Sequence, residues 1–220
     1  MGKVIEGEWK DATPSKTAEG ITKKAHVKRA VAGPKTYQLK ILLVDSEPEI
    51  FRRVLVAGDT RLDLLHRIIQ SAMGWTDSHL HEFRIKGVSY ADPDPEMGMD
   101  DSKDEGAVSL QEVAPRVRSV IQYCYDFGDD WEHKIAVEKI VENDERYKGY
   151  PICIEGRYAS PPEDSGGIYG YYENLEVLKE PNCEGYEDVL EWMGDDFDPD
   201  EFDIEEVNRL LKKMKPRKGR

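Results

Sequence analysis

The chain has 220 residues, 39% of them hydrophobic, which is enough for one well-buried core and at most two domains. Its net charge of −14 is unevenly spread: residues 1–36 carry 8 Lys/Arg against 4 Asp/Glu, residues 212–220 carry 6 Lys/Arg and no acid, and residues 37–211 are net −24. An acidic body repels a phosphate backbone, so nucleic-acid binding is expected only as weak, salt-sensitive contact through the basic ends.

Residues 1–36 are polar, lack steady periodicity and close with Gly33-Pro34. They read as a basic, mobile extension ahead of a domain over 37–214, with 215–220 as a basic tail. The start MGKVIEGEWK has no apolar stretch of the signal-peptide kind, and no apolar run reaches about 18 residues. A cytoplasmic protein without a membrane span is therefore expected. Cys124, Cys153 and Cys183 are far apart and form no CxxC pair, which argues against a disulfide scaffold and a zinc ribbon.

Tyr37–Val44 (YQLKILLV) and Phe51–Val56 (FRRVLV) read as strands, and the short polar link between them predicts an antiparallel hairpin. A helix follows. Thr60 stands in the capping place with Asp63 three residues on. Leu65, Ile68, Ile69, Ala72 and Met73 form one apolar face, and Gly74 ends the helix. The next strand, HLHEFRIKG, puts His79, His81, Phe83 and Ile85 on one side by alternation. Residues 91–106 are acidic and rich in Pro and Gly, and they read as a mobile loop.

Ser119–Asp126 and Trp131–Val141 predict a hairpin around Gly128. Pairing Asp126 with Asp130 sets Tyr125 opposite Trp131, Tyr123 opposite His133 and Ile121 opposite Ile135, which gathers one aromatic and apolar face. Near the end, Tyr186, Val189, Leu190 and Met193 are helically spaced and stop at Gly194. A last helix starts at Asp203 with Ile204, Val207, Leu210, Leu211 and Met214 on its apolar side. Strands early, helices late and one helix between predict an α+β fold, with a mixed or mostly antiparallel sheet packed by helices in a roll-like single domain.

Two segments concentrate the polar chemistry: YCYDFGDDWEH (123–133) and SPPEDSGG (160–167). The candidate site is Asp126, Asp129, Asp130, Trp131, His133, Glu163 and Asp164. His79, His81, His133 and Asp126 are the candidate metal ligands, because mixed carboxylate and imidazole donors suit zinc, manganese or magnesium. The same acids also serve as turn caps beside glycine, and a histidine on an aromatic sheet face serves as a core residue. Ser165–Gly170 is glycine-rich but lacks the Lys-Ser/Thr of a phosphate loop. Its glycines instead suit positive φ in a tight turn against Pro161-Pro162. Asp196, Asp198 and Asp200 have the spacing of a calcium loop, but Glu201 and Val207 stand where glycine and glutamate are required. Trp75, Phe83, Tyr123, Tyr125, Phe127 and Trp131 either line a groove or form the core.

FRRVLV, LLHRIIQSAMGWTDSHLHEF, YDFGDDWEH, SPPEDSGGIYGY and DDFDPDEFD, in this order, resemble the Ri-plasmid ORF-three-like family over about residues 37–211. Some members of that family carry a passenger or resolvase-like label from transposable elements. The resemblance implies an α+β roll. Phe51 stands where members usually carry Trp, and Ser160 where many carry Cys, so Cys153 lacks a companion thiol for a shared metal site. Resolvase chemistry needs arginines around the scissile phosphate, and the acidic body lacks a basic cluster beyond Arg116 and Arg118. The function expected is a binding or interaction module of a mobile-element protein, with an unidentified protein or small-molecule partner. The alternative is a metal-dependent hydrolase or nuclease-like enzyme using a divalent ion.

Overall fold

The computed structural model describes residues 35–93 and 101–214. The N-terminal extension through 34, residues 94–100 of the acidic loop and the tail from 215 lie outside the described residues. Elements follow in the order β1 (Lys35–Leu43), β2 (Phe51–Ala57), α1 (Leu62–Met73), β3 (His81–Ile85), β4 (Val88–Ala91), β5 (Lys103–Asp104), α2 (Leu110–Val113), β6 (Val120–Tyr125), β7 (Trp131–Glu142), β8 (Ile152–Arg157), α3 (Gly167–Leu178), α4 (Tyr186–Met193) and α5 (Ile204–Leu211). The strands form one 8-stranded sheet in the order β5-β4-β3-β6-β7-β1-β2-β8. Every neighbouring pair is antiparallel except β4 and β5. This is the mixed α+β architecture that the element order predicted.

Side-chain alternation gives the sheet a buried face under α1. The β6–β7 hairpin adopts the expected register, with Tyr125 opposite Trp131, Tyr123 opposite His133 and Ile121 opposite Ile135. A one-residue slip of either strand would turn its three side chains to the other face and break the match. On α1, Leu65, Ile68, Ile69, Ala72 and Met73 are buried as predicted, and Gly74 closes the helix at φ 81. The cap differs from expectation. Arg61 takes the N-cap position and caps with no side chain. Thr60 is instead held through its backbone, donating to Ala57 and accepting from Leu110. That arrangement fixes the short α2 against the start of α1.

Arg52 is the anomaly of the buried face. Register sets it opposite Ile41, and it is 2% exposed. Its guanidinium donates to the carbonyls of Ala72, Phe51 and Arg157 and to Ser160 Oγ, each at 2.9 Å. The Phe202 ring lies 4.1 Å beneath it. One buried cation thus joins α1, β2, β8 and the Pro-Pro loop.

Composition misread part of the acidic loop. Lys103–Asp104 pair with Tyr90–Ala91, and Glu105 follows in a single helical turn with 4% exposure. Its carboxylate meets His81, a tertiary partner that local composition does not reveal. The α4 and α5 helices form as expected, and Asp203 Oδ1 accepts from the N–H groups of Glu205 and Glu206. From α5, Asn208 accepts from Cys153 N–H and donates to Cys153 O, at 2.8 and 2.9 Å. It pairs with the backbone of edge strand β8 in place of a further strand. Among the described residues no helix is long and apolar enough to cross a membrane.

Candidate functional site

Three connections meet at one rim of the sheet: residues 74–80 after α1, the 126–130 turn between β6 and β7, and the loop 158–166 after β8. Backbone geometry fixes each. Asp77, Asp126, Asp130 and Asp164 hold positive φ, and Gly166 and Gly167 hold φ 78 and 71 as the glycine-rich turn predicted. The Trp75 indole donates to Pro161 O at 2.9 Å, and Asp126 N–H donates to Leu80 O at 2.8 Å.

The rim's centre is an imidazole between two carboxylates. His79 Nδ1 lies 3.6 Å from Asp126 and Nε2 lies 3.3 Å from Asp164. One donor atom from each of the three residues lies within 4.8 Å of the others. Donors bound at about 2.1 Å in a tetrahedral site are about 3.4 Å apart, so side-chain movements of roughly an ångström or more would be needed for the set to close on a cation. His79 is 30% exposed and Asp164 70%, leaving an open side for water or ligand.

The other candidate residues take separate places. Glu163 adjoins the cluster but turns away, accepting from Thr76 N–H, Thr76 Oγ1 and the Tyr125 hydroxyl at 2.8, 2.7 and 2.6 Å. Asp129 is a strut, accepting from Gly166 N–H at 3.0 Å. Asp130 closes the hairpin turn and accepts from Cys124 Sγ at 3.8 Å. Trp131 and His133 are each 1% exposed and belong to the core. His133 Nδ1 donates to Trp131 O at 2.9 Å, while burial pushes its pKa down to about 4. His133 Nε2 and the Trp131 indole nitrogen have no partner among the described residues.

His79 does not lie on the strand for which alternation placed it beside His81. Strand β3 starts only at His81, and the chain ahead of it turns through Asp77 at φ 62. His81 enters the interior, where its Nε2 donates to Glu105 at 2.8 Å and its ring stacks on His66 at 3.5 Å. His66 Nε2 donates to Asp77 at 2.6 Å, and Nδ1 accepts from the Tyr123 hydroxyl at 2.8 Å. This assignment leaves His66 neutral, and burial lowers its pKa further. No local motif marks this network. Its available signal was His66 itself, four residues after Leu62 and three before Ile69 on the buried side of α1.

Nearby nucleophiles are held protonated. Burial, then Asp130 and Glu132, pushes the Cys124 thiol up to about 12. Burial and the bond to Glu163 raise the Tyr125 hydroxyl well above its usual range.

Known proteins resemble this chain in sequence and in fold. The uncharacterized protein y4hQ of Sinorhizobium fredii is 40% identical over 176 residues, spanning 79% of this chain and 89% of its own. The crystal structure of MM3350 from Methanosarcina mazei Go1, titled a protein of unknown function, is 39% identical. It superposes with a TM-score of 0.72 over 80% of this chain and 98% of that one. The model of the plasmid pRiA4b ORF-3-like proteins matches residues 35–206, from the first residue of β1 into α5, and the chain belongs to that family.

Proposed function

We propose that the chain is a binding module whose ligand site is the rim, and that His79, Asp126 and Asp164 take a divalent cation there. The observation that carries this reading is the cluster in which one donor atom each from His79, Asp126 and Asp164, on three different loops, lies within 4.8 Å of the others. A mixed set of one imidazole and two carboxylates matches zinc or manganese, with water or a partner's donor atom completing the coordination. Tyr125 beside the cluster is held protonated by burial and by its bond to Glu163, so as a phenol it can contact a ligand without attacking it.

The second reading, a metal-dependent hydrolase, rests on the same cluster, because a bound ion with an open position activates water. Elemental analysis of purified protein, then thermal unfolding with a chelator and with added zinc or manganese, tests the binding proposal. Bound or added metal should raise Tm in the parent and leave His79→Ala unmoved. An unchanged Tm in the parent with every ion sinks the proposal. Metal-dependent cleavage of a generic phosphodiester or ester, lost in His79→Ala, moves the reading to the hydrolase. The plasmid in the family's description supports placing the chain among mobile-element passengers, which the neighbourhood of its gene tests.

A further inference from the structure

A second concavity lies away from the rim, between the β1–β2 link, α3 and the segment ahead of α5. Its volume is about 270 Å³, and Tyr158, Tyr171 and Tyr172 line it together with Ile50, Leu175 and two prolines. The rings of Tyr171 and Tyr172 are 5.2 Å apart and tilted by 55°. Tyr172 is fixed in place because its hydroxyl accepts the Glu47 N–H at 2.7 Å. Three carboxylates join the lining: Glu47, Glu176 and Asp200. Among the described residues that line it, the one cation, Lys179, is already paired with Glu176 at 2.6 Å. Among the described residues Glu47 and Asp200 form no ion pair.

A small cavity of aromatic rings with uncompensated negative charge at its edge suits a cation with an apolar shell. Ring faces attract such cations electrostatically, and the carboxylates supply the counter-charge without a dehydrated ammonium being left unpaired. An anion meets repulsion from Glu47 and Asp200, and a neutral apolar group leaves those charges unused. The volume sits at the small end of ligand pockets, which begin at about 300 Å³, so it fits a headgroup and not a larger molecule.

We propose that this cavity binds an alkylammonium group, with the three phenol rings against its methyl shell and Glu47 and Asp200 as counter-charges. The inference is independent of the rim and of any metal. A free quaternary ammonium and a methylated lysine in a peptide present the same chemistry.

Calorimetry on the full chain with choline, with its neutral carbon isostere dimethylbutanol, and with a short trimethyllysine peptide tests it. Choline should bind about tenfold tighter than dimethylbutanol, and Asp200→Asn should weaken choline binding about threefold or more. Tyr172→Leu should abolish binding, with circular dichroism confirming the fold. A peptide that binds well above choline names a peptide source, and equal or weaker binding names a small cation. Equal affinity for choline and dimethylbutanol overturns the proposal. So does no binding of any probe to folded protein, or an Asp200→Asn variant that binds choline as the parent does.

Discussion

Tyr125 donates a 2.6 Å hydrogen bond to Glu163 Oε1, and the same hydroxyl accepts from the N–H groups of Ser78 and His79 at 2.9 and 3.3 Å. One phenol therefore ties two of the rim's three loops to the end of β6, which leads directly into the third. Tyr125→Phe removes the partner of two N–H groups and of Glu163 Oε1. It should cost about 1–3 kcal/mol in denaturant unfolding and weaken metal binding by loosening His79.

Arg52 carries a second linkage, through the interior. Its pKa falls to about 10 because burial disfavours the charge, so it stays protonated at neutral pH. Arg52→Ala removes donors from three carbonyls and Ser160 and opens a cavity, and should cost about 3–5 kcal/mol or prevent folding. Arg52→Lys should recover only part of that loss, since an ammonium cannot reproduce the planar fork. Comparing the two variants by chemical denaturation checks both statements.

Gly167 shows why the glycine turn is specific. Its φ of 71 is left-handed, and a Cβ there would collide with the Asp129 carbonyl. Gly167→Ala should destabilise by about 2 kcal/mol or more, read from the shift in denaturation midpoint. Gly185→Ala, also at positive φ but with open space around it, should cost less.

Acid should unfold the protein through its buried imidazoles. His133 is depressed from 6.5 to about 4 by burial, so the unfolded chain binds its proton first as pH falls. Its contribution is present above about pH 6.5 and is lost progressively down to about pH 4, amounting to about 3 kcal/mol. His66 is lowered by the same cause and acts in the same direction. Tm measured from pH 7.5 to 4.5 should fall steeply, and His133→Leu should flatten the profile whatever it does to stability at neutral pH.

Much of this was legible in local pattern. The hairpin register followed from matching aromatic positions on 119–141, and the faces of α1, α4 and α5 followed from helical spacing. What escaped depended on distant partners. Glu105 is buried because His81 meets it, and His79 leaves the strand because the chain turns at Asp77. The β8 strand was hidden by weak alternation and a bulge, and α3 by the glycines that open it. At the site, the pattern grouped Asp126 and Asp164 with three candidate histidines. Only the tertiary path separates His79 at the surface from His81 and His133 inside.

Long-range imidazole NMR during a zinc titration tests the central claim most directly, because it reads each histidine separately. The His79 ring nitrogens should shift saturably while those of His66, His81 and His133 stay in place, and Asp126→Asn with Asp164→Asn should abolish the response. A His79 signal unmoved by zinc or manganese, or a response confined to the buried histidines, would contradict it.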